Sequence, residues 1–135
     1  MLNSLHIIGN LADNAVIRTT QSGLRFATFR LITSENVFNK TTLTWDTEKT
    51  GFPVVVWGRR ARYAERTALK GQLFFVEAKM RNRRFEKDGA IQFAWEAVVS
   101  DHFGDIRCLV RPTEGPGHSD NTDMFPHDGD DALIE

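Results

Sequence analysis

The residues best suited to chemistry lie between Arg81 and Lys87, where basic side chains surround an aromatic ring. Arg83 and Arg84 directly precede Phe85, and Arg81 lies four residues before it. A guanidinium pairs with phosphate through a fork of hydrogen bonds and also stacks on planar rings. An aromatic side chain stacks on a base of any type. This cluster therefore favours a surface that holds a flexible phosphodiester strand.

The same residue types recur elsewhere in the chain. Trp57 ends the apolar run that begins at Phe52, and Phe38 and Trp45 lie in a polar, Thr-rich stretch. We expect Trp57 and Phe85 to stack on bases, with Phe38 and Phe52 as further candidates. The alternative for Trp57 and Phe52 is burial in the core, and for the aromatics of the polar stretch it is packing against the fold. The other candidate phosphate contacts are Arg18, Arg30 and Arg59.

Charge is divided unevenly along the 135 residues. Residues 1–112 hold all 17 Lys and Arg against 11 Asp and Glu, a balance of +6, and residues 113–135 hold the other 7 acidic residues, a balance of −7. A basic domain favours an anionic partner, and nucleic acid is a common one. The alternative is that the basic side chains form an ordinary solvated surface with no specific partner. Acidic tails are frequently interaction segments.

Several function classes are excluded or disfavoured. Cys108 is the only cysteine, so an intrachain disulfide and a multi-cysteine zinc site are excluded. The sequence contains no GxxxxGK[ST] loop, no HExxH motif and no nucleophile elbow. No apolar run reaches the length of a membrane span. We expect a binding protein rather than an enzyme, with no cofactor, no metal and no membrane association.

Hydrophobic periodicity predicts a mostly β domain. One helix is predicted from Arg59 to Lys70, with Gly71 as its C-terminal stop. Residues 36–51 are polar and aperiodic and predict a long flexible loop, and Trp95 is predicted to face the core. The predicted strands are Leu5–Ile8, Ala15–Thr20, Phe26–Thr33, Phe52–Trp57, Leu73–Asn82 and Ala90–Val99.

The order of these elements, with a helix between the third and fourth main strands, predicts a five-stranded Greek-key barrel of the OB-fold class. Gly, Pro, Asp and Asn dominate after residue 112. We therefore expect an OB-fold domain at residues 1–112 and a disordered acidic tail at residues 113–135.

An ordered set of short segments resembles the bacterial and mitochondrial single-stranded DNA-binding protein family (SSB) over residues 3 to 100, as a divergent member. The segments are Ile7–Leu11, Val16–Arg18, Ser22–Gly23, Ala27–Phe29, Leu31–Glu35, Val54–Gly58, Lys70–Gly71, Val76–Glu77, Arg81–Phe85, Asp88–Gly89 and Glu96–Val99.

The resemblance implies a non-catalytic OB-fold protein that coats single-stranded DNA in replication, recombination or repair, usually as a homotetramer. The family's four DNA-path aromatics read here as Val37, Gly51, Trp57 and Phe85, so two of the four are absent, with Phe38 and Phe52 one residue away. The resemblance also implies subunit pairing through the first strand, Leu5–Ile8. It further implies a tail that docks on proteins through Asp128, Asp130, Asp131, Leu133 and Ile134.

Two alternatives remain open. One is an RNA-binding OB-fold, and the other is a structural, protein-binding OB-fold subunit, in either case of a mitochondrial RNA-processing assembly. The two absent aromatics favour these alternatives, and the cluster from Arg81 to Phe85 favours single-stranded DNA. The expected compartment is the cytoplasm or nucleoid of a bacterium, or the mitochondrial matrix for a processed organellar chain.

Overall fold

A computed structural model describes residues 1–110. The predictions for the tail, including its disorder, its boundary and its docking residues, lie outside the described residues. The elements in chain order are β1 (Leu5–Leu11), β2 (Val16–Thr19), β3 (Arg25–Asn39), β4 (Thr44–Trp57), α1 (Arg59–Thr67), β5 (Leu73–Lys87), β6 (Ala90–Val99) and β7 (Asp105–Val110).

Five strands close into a ring, which confirms the predicted OB-fold barrel. β1 pairs with β3 and with β5, β3 pairs with β4, and β5 pairs with β6, all antiparallel. A short parallel pairing of β4 with β6 completes the ring. β2 adds to β3, and β7 adds to β5. The helix α1 connects β4 to β5, the third and fourth strands of the ring, as predicted.

Alternating side chains fill the barrel. Ala27, Phe29 and Leu31 of β3 are buried together with Phe74 and Val76 of β5. Because successive strand residues point to opposite faces, the residues between them form the outer face of the barrel. Val54, Val55 and Val56 are all buried, as the continuous apolar run of β4 predicts.

The prediction of a flexible loop at residues 36–51 is wrong. β3 and β4 continue to Asn39 and Thr44 and form a two-stranded arm that projects from the barrel. Apolar periodicity could not reveal this arm because no second layer from residues 1–110 packs on it, so most of its side chains are exposed. The backbone ladder and cross-strand pairs define it instead.

A second arm is formed by the distal halves of β5 and β6, from Asn82 to Trp95. Since β4 and β6 are parallel neighbours, both arms extend past the same end of the barrel. Trp95 lies on this arm and is 59% exposed, so its predicted core position is wrong. It shares a strand face with the buried Ala97 and Val99, but the barrel ends before it.

The helix ends three residues earlier than predicted, at Thr67. Its N-terminus lacks a capping side chain of its own, because Gly58 occupies the cap position with φ of 75°. Asp101 supplies the missing acceptor: its Oδ1 accepts from the backbone N–H of Arg59 at 3.0 Å. Within the described residues, no helix has the length and apolarity needed to cross a membrane.

Candidate nucleic-acid interface

Three residues on neighbouring strands form a row across the outer face of the barrel. Arg18 of β2 lies opposite Phe26 of β3, which in turn lies opposite Trp57 of β4. The rings of Phe26 and Trp57 are 4.7 Å apart between centroids, with planes tilted by 32°. Trp57 is half-buried, so Phe26 supports one side of the indole and leaves it partly accessible. The predicted aromatic and the predicted arginine therefore share one surface.

A carboxylate on β6 holds two of the predicted arginines on the outer face. Glu96 is 5% exposed, and its Oε2 accepts from Arg81 Nη2 at 3.0 Å while its Oε1 accepts from Arg83 Nε at 3.1 Å. The Arg83 guanidinium lies 5.5 Å from the centroid of the Phe85 ring. The residues clustered around Phe85 in the sequence thus form one ordered surface, in which the Glu96 carboxylate lies beneath the guanidinium groups of Arg81 and Arg83.

Arg30 lies on the same outer face, and its side chain crosses to the neighbouring strand. It is paired in register with Pro53 of β4, and its guanidinium occupies the space above Gly51 where a side chain would stand. Among the described residues the guanidinium has no hydrogen bond or ion pair.

The β3–β4 arm carries opposite charges on its two faces. Phe38 and Trp45 are cross-strand partners on the outer face, with ring centroids 5.3 Å apart and edges facing. Both are exposed, at 42% and 69%. Lys49 lies on that face too, whereas the reverse face carries the exposed acidic residues Glu35, Asp46 and Glu48. A polyanion would therefore meet the aromatic, basic side of this arm and be repelled by the other.

Three of the predicted site residues lie apart from this surface. Phe52 packs against the core on the opposite face of β4 from Trp57. Arg84 is paired with Phe93 in register and lies on the reverse face of the β5–β6 arm. Arg59 begins α1, where its side chain lies 3.8 Å from Asp101. The candidates that share the outer face are Arg18, Arg30, Phe38, Trp57, Arg81, Arg83 and Phe85.

Sequence reasoning gave no role to three further outer-face residues: Phe26, Lys49 and Lys79. The alternation of Ala27, Phe29 and Leu31 toward the core already implied that Phe26 faces outward, so that residue could have been found. Lys49 could not be found in this way because its segment is polar and aperiodic and predicts a loop. In residues 1–110, no group of three or more His, Cys, Asp or Glu lies together in a way that could hold a metal ion.

This chain is similar in sequence to a known protein family and to bacterial relatives. The model of the "Single-strand binding protein family" matches residues 2–103. The chain is 27% identical over 116 residues to "Single-stranded DNA-binding protein 2" of Streptomyces coelicolor, covering 82% of this chain and 58% of that protein. It is 28% identical over 121 residues to "Single-stranded DNA-binding protein 1" of Chlorobaculum tepidum, covering 88% and 72%. This chain thus spans little more than half the length of the Streptomyces relative.

The fold is also similar to a solved structure described as "Plasmodium falciparum SSB complex with ssDNA". The TM-score is 0.74 at 22% identity, over 82% of this chain and 96% of that one. This likeness confirms the barrel architecture. The family match supports a binding protein rather than an enzyme. Because the family model covers all five strands of the ring and both arms, the chain belongs to the single-strand binding protein family.

Proposed function

We propose that this protein binds single-stranded DNA along the outer face of the barrel and its two arms, without base preference. The observation that carries this proposal is the segregation of residue types. Phe26, Phe38, Trp45, Trp57 and Phe85 lie on one surface together with basic side chains, and the acidic residues of the β3–β4 arm lie on its reverse.

The chemistry follows from these residue types. Basic side chains neutralise phosphates and release condensed counterions, while aromatic rings stack on successive bases at about 1–3 kcal/mol per base. Every base has a flat face, so stacking gives affinity without reading sequence. The names of the bacterial relatives and of the solved complex support DNA as the ligand.

The proposal is tested by fluorescence anisotropy with labelled oligo-dT and oligo-U of equal length over a series of salt concentrations. We expect binding to dT at least as tight as to U, with affinity that falls steeply as salt rises. Tighter binding to U would move the assignment to RNA. No binding to either strand would contradict the proposal and favour the reading of a structural, protein-binding subunit.

We further propose that subunits associate through the first strand. β1 pairs with β5 along Leu5–Asn10, and its other edge meets β3 only at Asn10 and Leu11. The edge of residues 5–9 that faces away from β5 thus has no strand partner among the described residues, and such an edge is a template for pairing with a second chain. Light scattering should give a dimer or tetramer mass; a value of 15.3 kDa, the mass of one chain, would reject this assembly.

Coating of single strands during replication, recombination or repair is the biological role we propose. Because the two named protein relatives are bacterial, they support the nucleoid or cytoplasm of a bacterium over the mitochondrial matrix. Docking of partner proteins on the acidic tail stays a prediction from the sequence.

A further inference from the structure

Arg30 and Gly51 form an arrangement that a side chain at position 51 would abolish. A Cβ placed on Gly51 would lie 2.6 Å from Nη2, 2.7 Å from Nε and 2.9 Å from Cζ of Arg30. The glycine therefore provides the space that the guanidinium occupies. Gly51 is not needed for its backbone conformation, because it is not among the residues with positive φ.

Among the arginines of the outer face, Arg30 and Arg18 differ from the others in lacking an acidic partner within residues 1–110. Arg81 and Arg83 share the Glu96 carboxylate, and Arg25 pairs with Glu65 at 2.9 Å. Arg30 is exposed and has no acidic partner in residues 1–110. Its charge and its donors therefore remain available to a ligand.

The register neighbours of Arg30 and Gly51 are apolar. Pro53 is the cross-strand partner of Arg30, and Ile32 is the partner of Gly51. Apolar neighbours suit the flat face of a base better than the hydrated oxygens of a phosphate, and arginine stacks on bases as well as pairing with anions.

We propose that Arg30, seated over Gly51, is a base-stacking subsite on the outer face. This inference rests on the proposed function and adds a specific contact to it. The guanidinium stacks on one base of the bound strand, and the glycine holds open the space from which it does so.

Arg30→Lys separates stacking from charge, because lysine keeps the positive charge but has no planar group. The probes are labelled oligo-dT and an abasic deoxyribose-phosphate strand of the same length. We expect Arg30→Lys to weaken dT binding about tenfold, within the range for loss of one stacked base, and to leave abasic binding within twofold. The slope of affinity against salt should not change, since charge is conserved.

Gly51→Ala tests the second half of the inference. The contact it creates is with the far end of a flexible side chain, so the guanidinium can move away, and the melting temperature should be unchanged. Its dT affinity should fall as in Arg30→Lys. The matched control is Arg62→Lys, an exposed arginine on α1 outside the proposed interface, which should bind dT as the original protein does.

Equal dT binding by Arg30→Lys and the original protein would overturn the inference, and so would an equal loss on dT and abasic strands. With either result, the proposed function would still be supported if Phe85→Ala weakens binding to dT. Failure of the original protein to bind dT at all would instead contradict the proposed function itself.

Discussion

At the scale of single residues, Phe85 is the aromatic whose removal should affect binding most cleanly. It is half-buried on a two-stranded arm and contacts Arg83 rather than the core. Phe85→Ala should cost about 1–3 kcal/mol of dT binding with little change in melting temperature. Fluorescence anisotropy and thermal unfolding measure the two effects.

The matched control is Phe93→Ala, which removes an exposed ring from the reverse face of the same arm. It should leave dT affinity unchanged. An equal loss in both variants would mean that the arm does not bind DNA on one face only.

Glu96 determines how much positive charge the outer face presents. In Glu96→Gln the carboxylate that neutralises Arg81 and Arg83 is lost. We expect tighter dT binding at low salt, with a difference that fades as salt rises. The free energy of unfolding should fall by about 1–3 kcal/mol, because two charge-assisted hydrogen bonds to a buried group are weakened. Weaker binding at every salt concentration would show that Glu96 acts by positioning the arginines and not through its charge.

At the scale of elements, α1 depends on a cap from a distant residue. Asp101 accepts from the first helical N–H, and a side chain at Gly58 would collide with its carboxylate. Asp101→Ala should destabilise the protein by about 1 kcal/mol while leaving dT affinity nearly unchanged. Chemical denaturation checks the first effect and anisotropy the second. Unchanged stability would show that solvent caps the helix as well as Asp101 does.

The elements of the barrel were predictable because they bury one face. Alternation located β3, β5 and β6, and the apolar run located β4. The same reasoning failed on both arms, for one physical reason: periodicity reports burial, and the arms pack on nothing among the described residues. Periodicity therefore predicted a loop at residues 36–51 and a core position for Trp95. β7 was not predicted at all, since it is a short strand at the edge of β5.

At the scale of the whole molecule, sequence indicated the residue types of the candidate interface better than their arrangement. Arg81, Arg83 and Phe85 were recognisable from their residue types because they lie close together in the sequence, but Arg84 was grouped with them because the predicted strand ended at Asn82 and gave no alternation beyond it. The link from Arg18 through Phe26 to Trp57 was not, since it crosses three strands. The displacement of Phe52 to the core side follows from strand alternation, where a shift of one residue reverses the face.

The three tryptophans sample the two sides of the molecule and provide the most direct test of the central claim. Trp57 and Trp45 lie on the outer face, and Trp95 lies on the reverse face of the β5–β6 arm. Three variants would each keep one tryptophan and carry phenylalanine at the other two positions. Each is titrated with oligo-dT at low salt.

Binding along the outer face predicts strong quenching of Trp57 and Trp45 fluorescence by bound bases, reversed by salt, with Trp95 fluorescence nearly unchanged. Quenching of Trp95 without quenching of Trp57 would place the strand on the other side of the molecule and contradict the account.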